Sequence, residues 1–331
     1  MELKQLGEFA LIDLIKKDTI KNKGNVVLGI GDDAAALLPS LGQLQLVTTD
    51  MLVEQVHFDL RTTTPRQLGY KAIAVNLSDI AAMGGIPRHV VVSIALPKHL
   101  SVDFVVALYE GAKEICGEFN VNIVGGDTVA SPQGLIINVT AMGEVAPERL
   151  QKRSGASVGE LLVVTGTLGD SGCGLDLLQK EEWKKYDFFM PLVTKHLVPL
   201  PQVEAGGKLA SFGTTSMNDI SDGLASEVNE IAKASQVGMR IYKDKIPLSS
   251  ELREASSRLG KSGAEYALYG GEDYQLVFTI SPENFKLLSQ GSDRLNLTII
   301  GEVVEKQQGV RLVSEDGKET LLEPKGYNHF R

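Results

Sequence analysis

Apolar residues recur along the chain with two periods, and the changes between them mark the elements. Residues 7–17 place Phe9, Leu11, Ile12 and Ile15 at helical spacing. Residues 26–30 and 44–47 are short apolar runs bounded by turn residues and predict strands. Thr64-Pro65 reads as a helix start, a capping hydroxyl followed by proline at the first helical position. That helix is expected to run to about Met83 and stop at Gly84-Gly85. A strand over 90–95, a helix capped by Ser101 and ending near Phe119, and strands over 122–124 and 135–141 follow. The stretch VAPERLQKRSGASVGE, 145–160, is polar and lacks periodicity, and predicts a boundary between domains over 1–148 and 149–331. Beyond it the pattern predicts strands at 161–165, 216–220, 238–242 and 275–280, with shorter ones near 298–304 and 310–313. Helices are expected after Gly172 and over 224–234 and 249–259. MPLVTKHLVPLP, with three prolines, reads as a connector. Strands and helices mix without a strict alternation, the pattern of two α+β domains.

Composition narrows the partners. The 331 residues are 43% hydrophobic, ample for a core, and Lys+Arg 33 against Asp+Glu 42 leaves a net charge of −9. That balance argues against nucleic acid or an anionic membrane as the main partner. It leaves room for a phosphorylated ligand, because metal ions invert local charge. Cys116 and Cys173 give neither a disulfide framework nor metal-ligand spacing. No apolar run reaches the roughly 18 residues of a membrane span. The first residues, with Glu2 and Glu8, lack a signal-like core. The expectation is a soluble, cytoplasmic protein.

Carboxylates recur in one setting. LGIGDDAAALL puts Asp32 and Asp33 after the first strand, and TTD puts Thr48, Thr49 and Asp50 at the end of the second. NLSDIAAMGG places Asp79 on a helix three residues from Asn76, on one face. IVGGDT ends a strand with Asp127, NDISDGL with Asp219, Ser221 and Asp222, and YGGEDYQL sets Glu272 and Asp273 after another glycine pair. Any one of these is an ordinary turn or cap. The repetition points elsewhere: small residues let backbone approach a ligand, and hard cations such as Mg²⁺ take carboxylate, hydroxyl and phosphate oxygens. The Walker loop and the protein-kinase motif set are absent. GTLGDSGCGL, 166–175, opens a helix and reads either as a phosphate cradle or as a plain turn.

GEFALI, LGIGDDAA, TTDMLVEQVHF, YKAIAVNLSDIAAMGG, IVGGDT, RSGASVGE, VTGTLGDSGCGL, NDISDGL, GGEDYQL and KGYNHF occur in this order from Gly7 to Phe330. Together they resemble the thiamine-monophosphate kinases, a family in the superfamily of aminoimidazole ribonucleotide synthetase and selenophosphate synthetase. The resemblance implies an N-terminal Mg-ATP-binding and dimerisation domain, and a C-terminal domain completing the phosphate and thiamine site. It implies a homodimer paired through the N-terminal domains. It also implies direct transfer of the ATP γ-phosphate to thiamine monophosphate, the last step to thiamine diphosphate. Position by position, Asp33, Thr48, Thr49, Asp50, Asp79, Asp127 and Asp219 match Mg²⁺ ligands, with Asp222 a further metal contact. Tyr109, Gly126, Arg153 and Ser221 match ATP contacts, and His57, Glu272 and Tyr327 match residues that hold the acceptor. Each has a plainer reading from sequence. Arg153 fits a solvated linker charge, and His57 a packed or solvent-facing residue. Tyr327 fits a staple for the tail, Tyr109 a core or dimer contact, and Asp32 a turn cap.

Phosphoryl transfer asks a protein for positioning and charge neutralisation. A phosphate monoester needs little deprotonation as nucleophile, so no dedicated general base is expected, and no His/Asp dyad is obvious in the sequence. Two alternatives remain: another ATP-using enzyme of the superfamily, or a non-catalytic divalent-cation or nucleotide-binding module. No cysteine precedes Cys116, against a selenophosphate synthetase, and the last residues are His-Phe-Arg, against a hydrogenase-maturation relative ending in Cys.

Overall fold

A computed structural model describes residues 3–31, 34–181, 184, 187–291 and 295–326, apart from the side chains of Lys4, Glu8, Phe9 and Gly291. The chain divides into two compact units, one of Met1–Ile80 with Gly85–Glu148 and one of Ala81–Gly84 with Arg149–Arg331.

In the first unit α1 (Leu3–Leu6), α2 (Glu8–Ile15) and the short pair β1 (Val26–Leu28) and β2 (Ala36–Leu37) precede a four-stranded sheet. The sheet is built from β3 (Leu44–Val53), β4 (Ile86–Pro97), β5 (Asn122–Ser131) and β6 (Ile136–Val145), in the order β3-β6-β4-β5. Only β4 and β5 run parallel, joined by α4 (Val102–Glu118), whereas α3 (Pro65–Ala82) joins β3 to β4. The predicted caps form. Thr64 and Gln67 exchange bonds at the start of α3, and Ser101 Oγ accepts from Phe104 N at 3.1 Å. α3 and α4 touch backbone to backbone: a Cβ on Gly69 would lie 1.8 Å from the Leu108 carbonyl oxygen. Val90, Val92, Ile94 and Leu96 of β4 are buried on one face of the sheet, while Val47, Met51 and Val129 remain exposed.

The second unit contains β7 (Leu161–Thr165), α5 (Asp170–Gln179), α6 (Met190–Leu197), α7 (Val203–Leu209), β8 (Thr214–Asp219) and α8 (Leu224–Ser235). It continues with β9 (Gly238–Tyr242), α9 (Ser250–Leu259), α10 (Gly263–Tyr269), β10 (Leu276–Ile280), α11 (Pro282–Gly291), β11 (Leu297–Val304), β12 (Val310–Val313) and β13 (Glu319–Leu321). The seven strands order as β13-β12-β9-β11-β7-β10-β8. Alternation along β7 splits the core. Leu162 and Val164 join Leu224, Val228 and Ile241 in one cluster, and Val163 joins Leu209, Phe278 and Leu288 in another. A third cluster, with Leu177, Leu192 and Leu252, belongs to α5, α6 and α9.

Several expected boundaries shift. β3 stays in register with β6 from Leu44↔Val145 to Val53↔Ile136, so Thr48, Thr49 and Asp50 lie inside the strand, not at its end. β5 pairs with β4 from His89↔Asn122 to Pro97↔Ser131, which places Gly125, Gly126 and Asp127 inside it too. Pairing with a central strand carries the ladder through glycine and acid, overriding their weak strand preference. The expected connector at 190–201 contains α6, because Pro191 falls in its first turn, where a missing N–H is harmless. α5 starts at Asp170, before Gly172, and α7, α10 and α11 add short helices the periodicity did not disclose. Among the described residues no helix is long and apolar enough to cross a membrane.

Candidate functional site

The first unit presents oxygen ligands from a strand and a helix. On β3, Leu46, Thr48, Asp50 and Leu52 share the less exposed face. Thr48 Oγ1 donates to Asp79 Oδ2 of α3 at 2.5 Å, bringing two of the resemblance-matched residues together. Thr49 faces the other way, its hydroxyl donating to the Val139 carbonyl at 3.0 Å and accepting from Asn138 Nδ2 at 3.1 Å. Asn138 Nδ2 also donates to the Asp50 carbonyl, tying that position to β6. Asp127 is exposed beside Ser93, away from the Thr48–Asp79 contact in register. Gly126 has a packing reason for lacking a side chain, since a Cβ would lie 2.1 Å from the Val92 carbonyl oxygen. His57 Nδ1 accepts from Val53 N at 3.0 Å, so the neutral ring carries its hydrogen on Nε2. Tyr109 is 4% exposed on α4, and burial raises its phenol well above the usual value.

The donor set of Thr48, Asp50 and Asp79 is all hydroxyl and carboxylate oxygen, which fits Mg²⁺. Among the described residues no three His, Cys, Asp or Glu side chains gather as a ready metal cage. Mg²⁺ characteristically keeps waters and phosphate oxygens beside one or two carboxylates. Asp32, Asp33 and Tyr327 lie outside the described residues.

In the second unit three motifs meet. β8 and β10 are neighbours with Asp219 opposite Leu276, so the loop after one meets the loop before the other. Glu272 N donates to Ser221 O at 2.7 Å, Tyr274 N to Ile220 O at 2.9 Å, and Ile220 N to Gln275 O at 2.8 Å. A Cβ on Gly271 would lie 2.5 Å from the Ser221 carbonyl oxygen, which is why a glycine stands there. Gly326, the last described residue of the tail, packs so that a Cβ would meet Asp222 O at 2.0 Å. Asp219, the last residue of β8, is 4% exposed, and Asp222 is exposed beyond it.

Two residues here escaped the sequence reading. Glu227 is buried, accepting from Asn218 Nδ2 and, at 3.1 Å, from Asp222 N. Burial, reinforced by the Asp219 carboxylate, pushes it up to about 8. Its signal was its place in the first turn of a helix after Asp-Gly, where an acid reaches back to a free N–H. The other is His196 of α6, buried, with Nδ1 3.2 Å from Glu272 Oε2. A His–carboxylate pair therefore exists, although none was obvious from sequence. Arg153 is engaged by Asn218 Oδ1 at 3.1 Å and by Glu230 Oε2 at 2.7 Å.

Asp273 settles the role of the glycine-rich 166–175 stretch. Its carboxylate accepts from Gly169 N at 2.6 Å and Ser171 N at 3.2 Å, capping α5. Desolvation pushes Asp273 up to about 7 against those two donors. Two of the N–H groups a phosphate would use, those of Gly169 and Ser171, are thus taken by the protein's own acid, and the stretch reads as the capped start of α5 rather than as a phosphate cradle.

Comparison with known proteins fixes the lineage. Residues 31–145 match the AIR synthase related protein N-terminal domain, and residues 157–314 the corresponding C-terminal domain. The thiamine-monophosphate kinase of Bacillus subtilis (strain 168) is 40% identical over 333 residues, covering 98% of this chain and 100% of that one. This chain belongs to the thiamine-monophosphate kinase family. The expected pair of mixed α/β domains of the AIR synthase type is borne out. Among solved structures, the thiamine-monophosphate kinase of Stenotrophomonas maltophilia K279a superposes with a TM-score of 0.84 at 35% identity, covering 97% of this chain and 99% of that one. A structure described as AaThiL complexed with AMPPCP and TMP superposes with a TM-score of 0.79 at 41% identity, covering 100% of this chain and 99% of that one.

Proposed function

We propose that the protein is a kinase that transfers the γ-phosphate of ATP to thiamine monophosphate, giving thiamine diphosphate and ADP in the cytoplasm. The observation that carries this is the end-to-end likeness, at 41% identity, to a kinase described in complex with AMPPCP and TMP. An oxygen of the acceptor phosphate forms the new bond to γ-phosphorus as the bond to the β–γ bridging oxygen breaks. The acceptor is already anionic, so the protein's task is to hold two polyphosphate partners in line.

The metal ligands proposed are Asp33, Thr48, Thr49, Asp50, Asp79, Asp127, Asp219 and Asp222. The Thr48–Asp79 contact and the all-oxygen donors support Thr48, Asp50 and Asp79, whereas Thr49 faces the other side of β3 and Asp127 lies apart from that contact. Mg²⁺, when bound, neutralises phosphate charge there. Tyr109, Gly126, Arg153 and Ser221 are the proposed ATP contacts. Of these, Arg153 would exchange its Glu230 and Asn218 partners for phosphate, while the enclosure of Tyr109 favours packing over direct contact. His57, with its hydrogen on Nε2, suits the acceptor phosphate. A carboxylate repels phosphate, so Glu272 suits the heterocyclic end, together with the ring of Tyr327. Homodimer formation is proposed through the exposed sheet face carrying Val47, Met51 and Val129, an apolar surface of the kind partners cover.

The test is product analysis with MgATP and a panel of acceptors. Thiamine monophosphate is converted to the diphosphate, and free thiamine is a poor acceptor. Comparable transfer to free thiamine, or none to the monophosphate, refutes the assignment.

A further inference from the structure

The contact between His196 and Glu272 carries a consequence for acceptor recognition. His196 lies in the last turn of α6 and is 5% exposed. Its Nδ1 is 3.2 Å from Glu272 Oε2 and 3.1 Å from Ser171 Oγ. Nδ1 is hydrogen-bonded to Ser171 Oγ and lies within ion-pair distance of Glu272 Oε2, so a hydrogen on Nδ1 faces both the hydroxyl and the carboxylate, which can only accept. A nucleophilic triad would set the hydroxyl and the carboxylate on opposite ring nitrogens. Here both meet Nδ1, and Ser171 is fully buried with its N–H held by Asp273. The cluster is therefore no serine nucleophile. It is a mount for a carboxylate.

The mount is fixed from both sides. Lys195, next to His196, bonds Asp170 and, at 2.8 Å, Thr167 Oγ1, locking the end of α6 to the start of α5. Asp273, next to Glu272, caps that same start of α5. Glu272 itself adopts φ 66, a left-handed conformation unusual outside glycine, and its N–H is held by Ser221 O. The Glu272 side chain is 23% exposed, so it is neither buried as a core acid nor loose on the surface.

We propose that His196 is a positioning residue for the acceptor site, its Nδ1–H holding the Glu272 carboxylate aimed at the heterocyclic end of thiamine monophosphate. This rests on the reading of Glu272 as an acceptor contact.

Steady-state kinetics test both layers separately. His196→Leu removes the donor and keeps bulk. A lost bond to a charged group predicts a KM for thiamine monophosphate raised about tenfold, with the KM for ATP within about twofold of wild type. His196→Asn, whose amide can donate along the same direction, recovers most of the loss. In the double variant, His196→Leu adds nothing to Glu272→Gln. Equal rises in both KM values, no rise in either, or additivity in the double variant overturns the proposal. If Glu272→Gln alone leaves the acceptor KM unchanged, the acceptor role of Glu272 fails and the inference falls with it. If Glu272→Gln raises that KM and His196→Leu does not, the positioning role alone is overturned. Should His196→Leu not fold, His196→Phe gives the same reading by removing the ring nitrogen while keeping an aromatic side chain in the pocket. A raised acceptor KM with an unchanged ATP KM supports the mount, and a wild-type acceptor KM overturns it.

Discussion

The two units solve one problem in opposite ways. In the first, Thr48, Asp50 and Asp79 sit on regular backbone, on a strand laddered along its whole length and a well-capped helix. Asp50 and Asp79 are only partly buried. In the second, Ser221, Asp222, Glu272 and Asp273 sit on loops that hold each other through backbone bonds and glycine contacts, and Asp219 and Glu227 are buried. The first unit borrows rigidity from elements that would form without the chemistry. In the second, the acids are themselves part of what holds the loops. Substituting an acid should therefore cost activity alone in the first unit, and activity together with stability in the second.

The largest expected effect tests the first half of that contrast. Asp79→Asn lowers kcat by roughly 10²–10³-fold, the scale of lost metal-assisted charge stabilisation. The ligand-free variant melts at or above the wild-type temperature, since it carries less like charge. MgATP raises the melting temperature of wild type and does so much less for the variant. A ligand-free variant melting well below wild type would make Asp79 a structural residue and erase the contrast.

The next effect belongs to the second unit. The carboxyl of Asp273 is held near 7 in the fold, above the ordinary 3.8. Its proton-linked stability is fully present below about pH 4 and is lost as pH rises through about 7. Urea midpoints of wild type and Asp273→Asn between pH 5 and 8 should show wild type losing ground to the variant as pH rises, by on the order of 1–2 kcal/mol. A difference that is flat or grows in favour of wild type contradicts the desolvation of this carboxylate.

The smallest effect separates neighbours on one strand. Thr48 points its hydroxyl at Asp79, and Thr49 points its own at Val139 O. Thr48→Val should lower kcat/KM about tenfold and Thr49→Val about twofold, the difference of one charge-assisted hydrogen bond. Equal losses would mean that the two faces of β3 are not functionally distinct.

Much of the fold was legible where local chemistry decides it. The Thr64 and Ser101 caps, and the strands at 161–165, 238–242 and 310–313, stand as expected. Legibility failed where pairing with a neighbour decides. Glycine and aspartate look like strand ends, yet Gly125 and Asp127 continue a ladder because β4 offers them backbone partners. The same holds for Thr48 to Asp50 along β6. The reading of Asp219 at a strand end holds, because beyond it Ile220 and Ser221 bond the loop before β10. His196 and Asp273 gave no local signal of their roles. Their partners are distant in sequence, and only the packing of α5, α6 and the 270–275 loop brings them together. Glu227 was readable as a helix-start acid but not as a buried one.

The central claim is that phosphate passes directly from ATP to an acceptor that is itself a phosphate. A single-turnover reaction with ATP labelled at the γ-phosphate, Mg²⁺ and thiamine monophosphate measures this most directly. The prediction is label in thiamine diphosphate at its terminal phosphate, appearing at the rate ADP is formed, with no label on the protein. Label trapped on the protein at a competent rate, or released as inorganic phosphate while thiamine monophosphate stays unchanged, would contradict it.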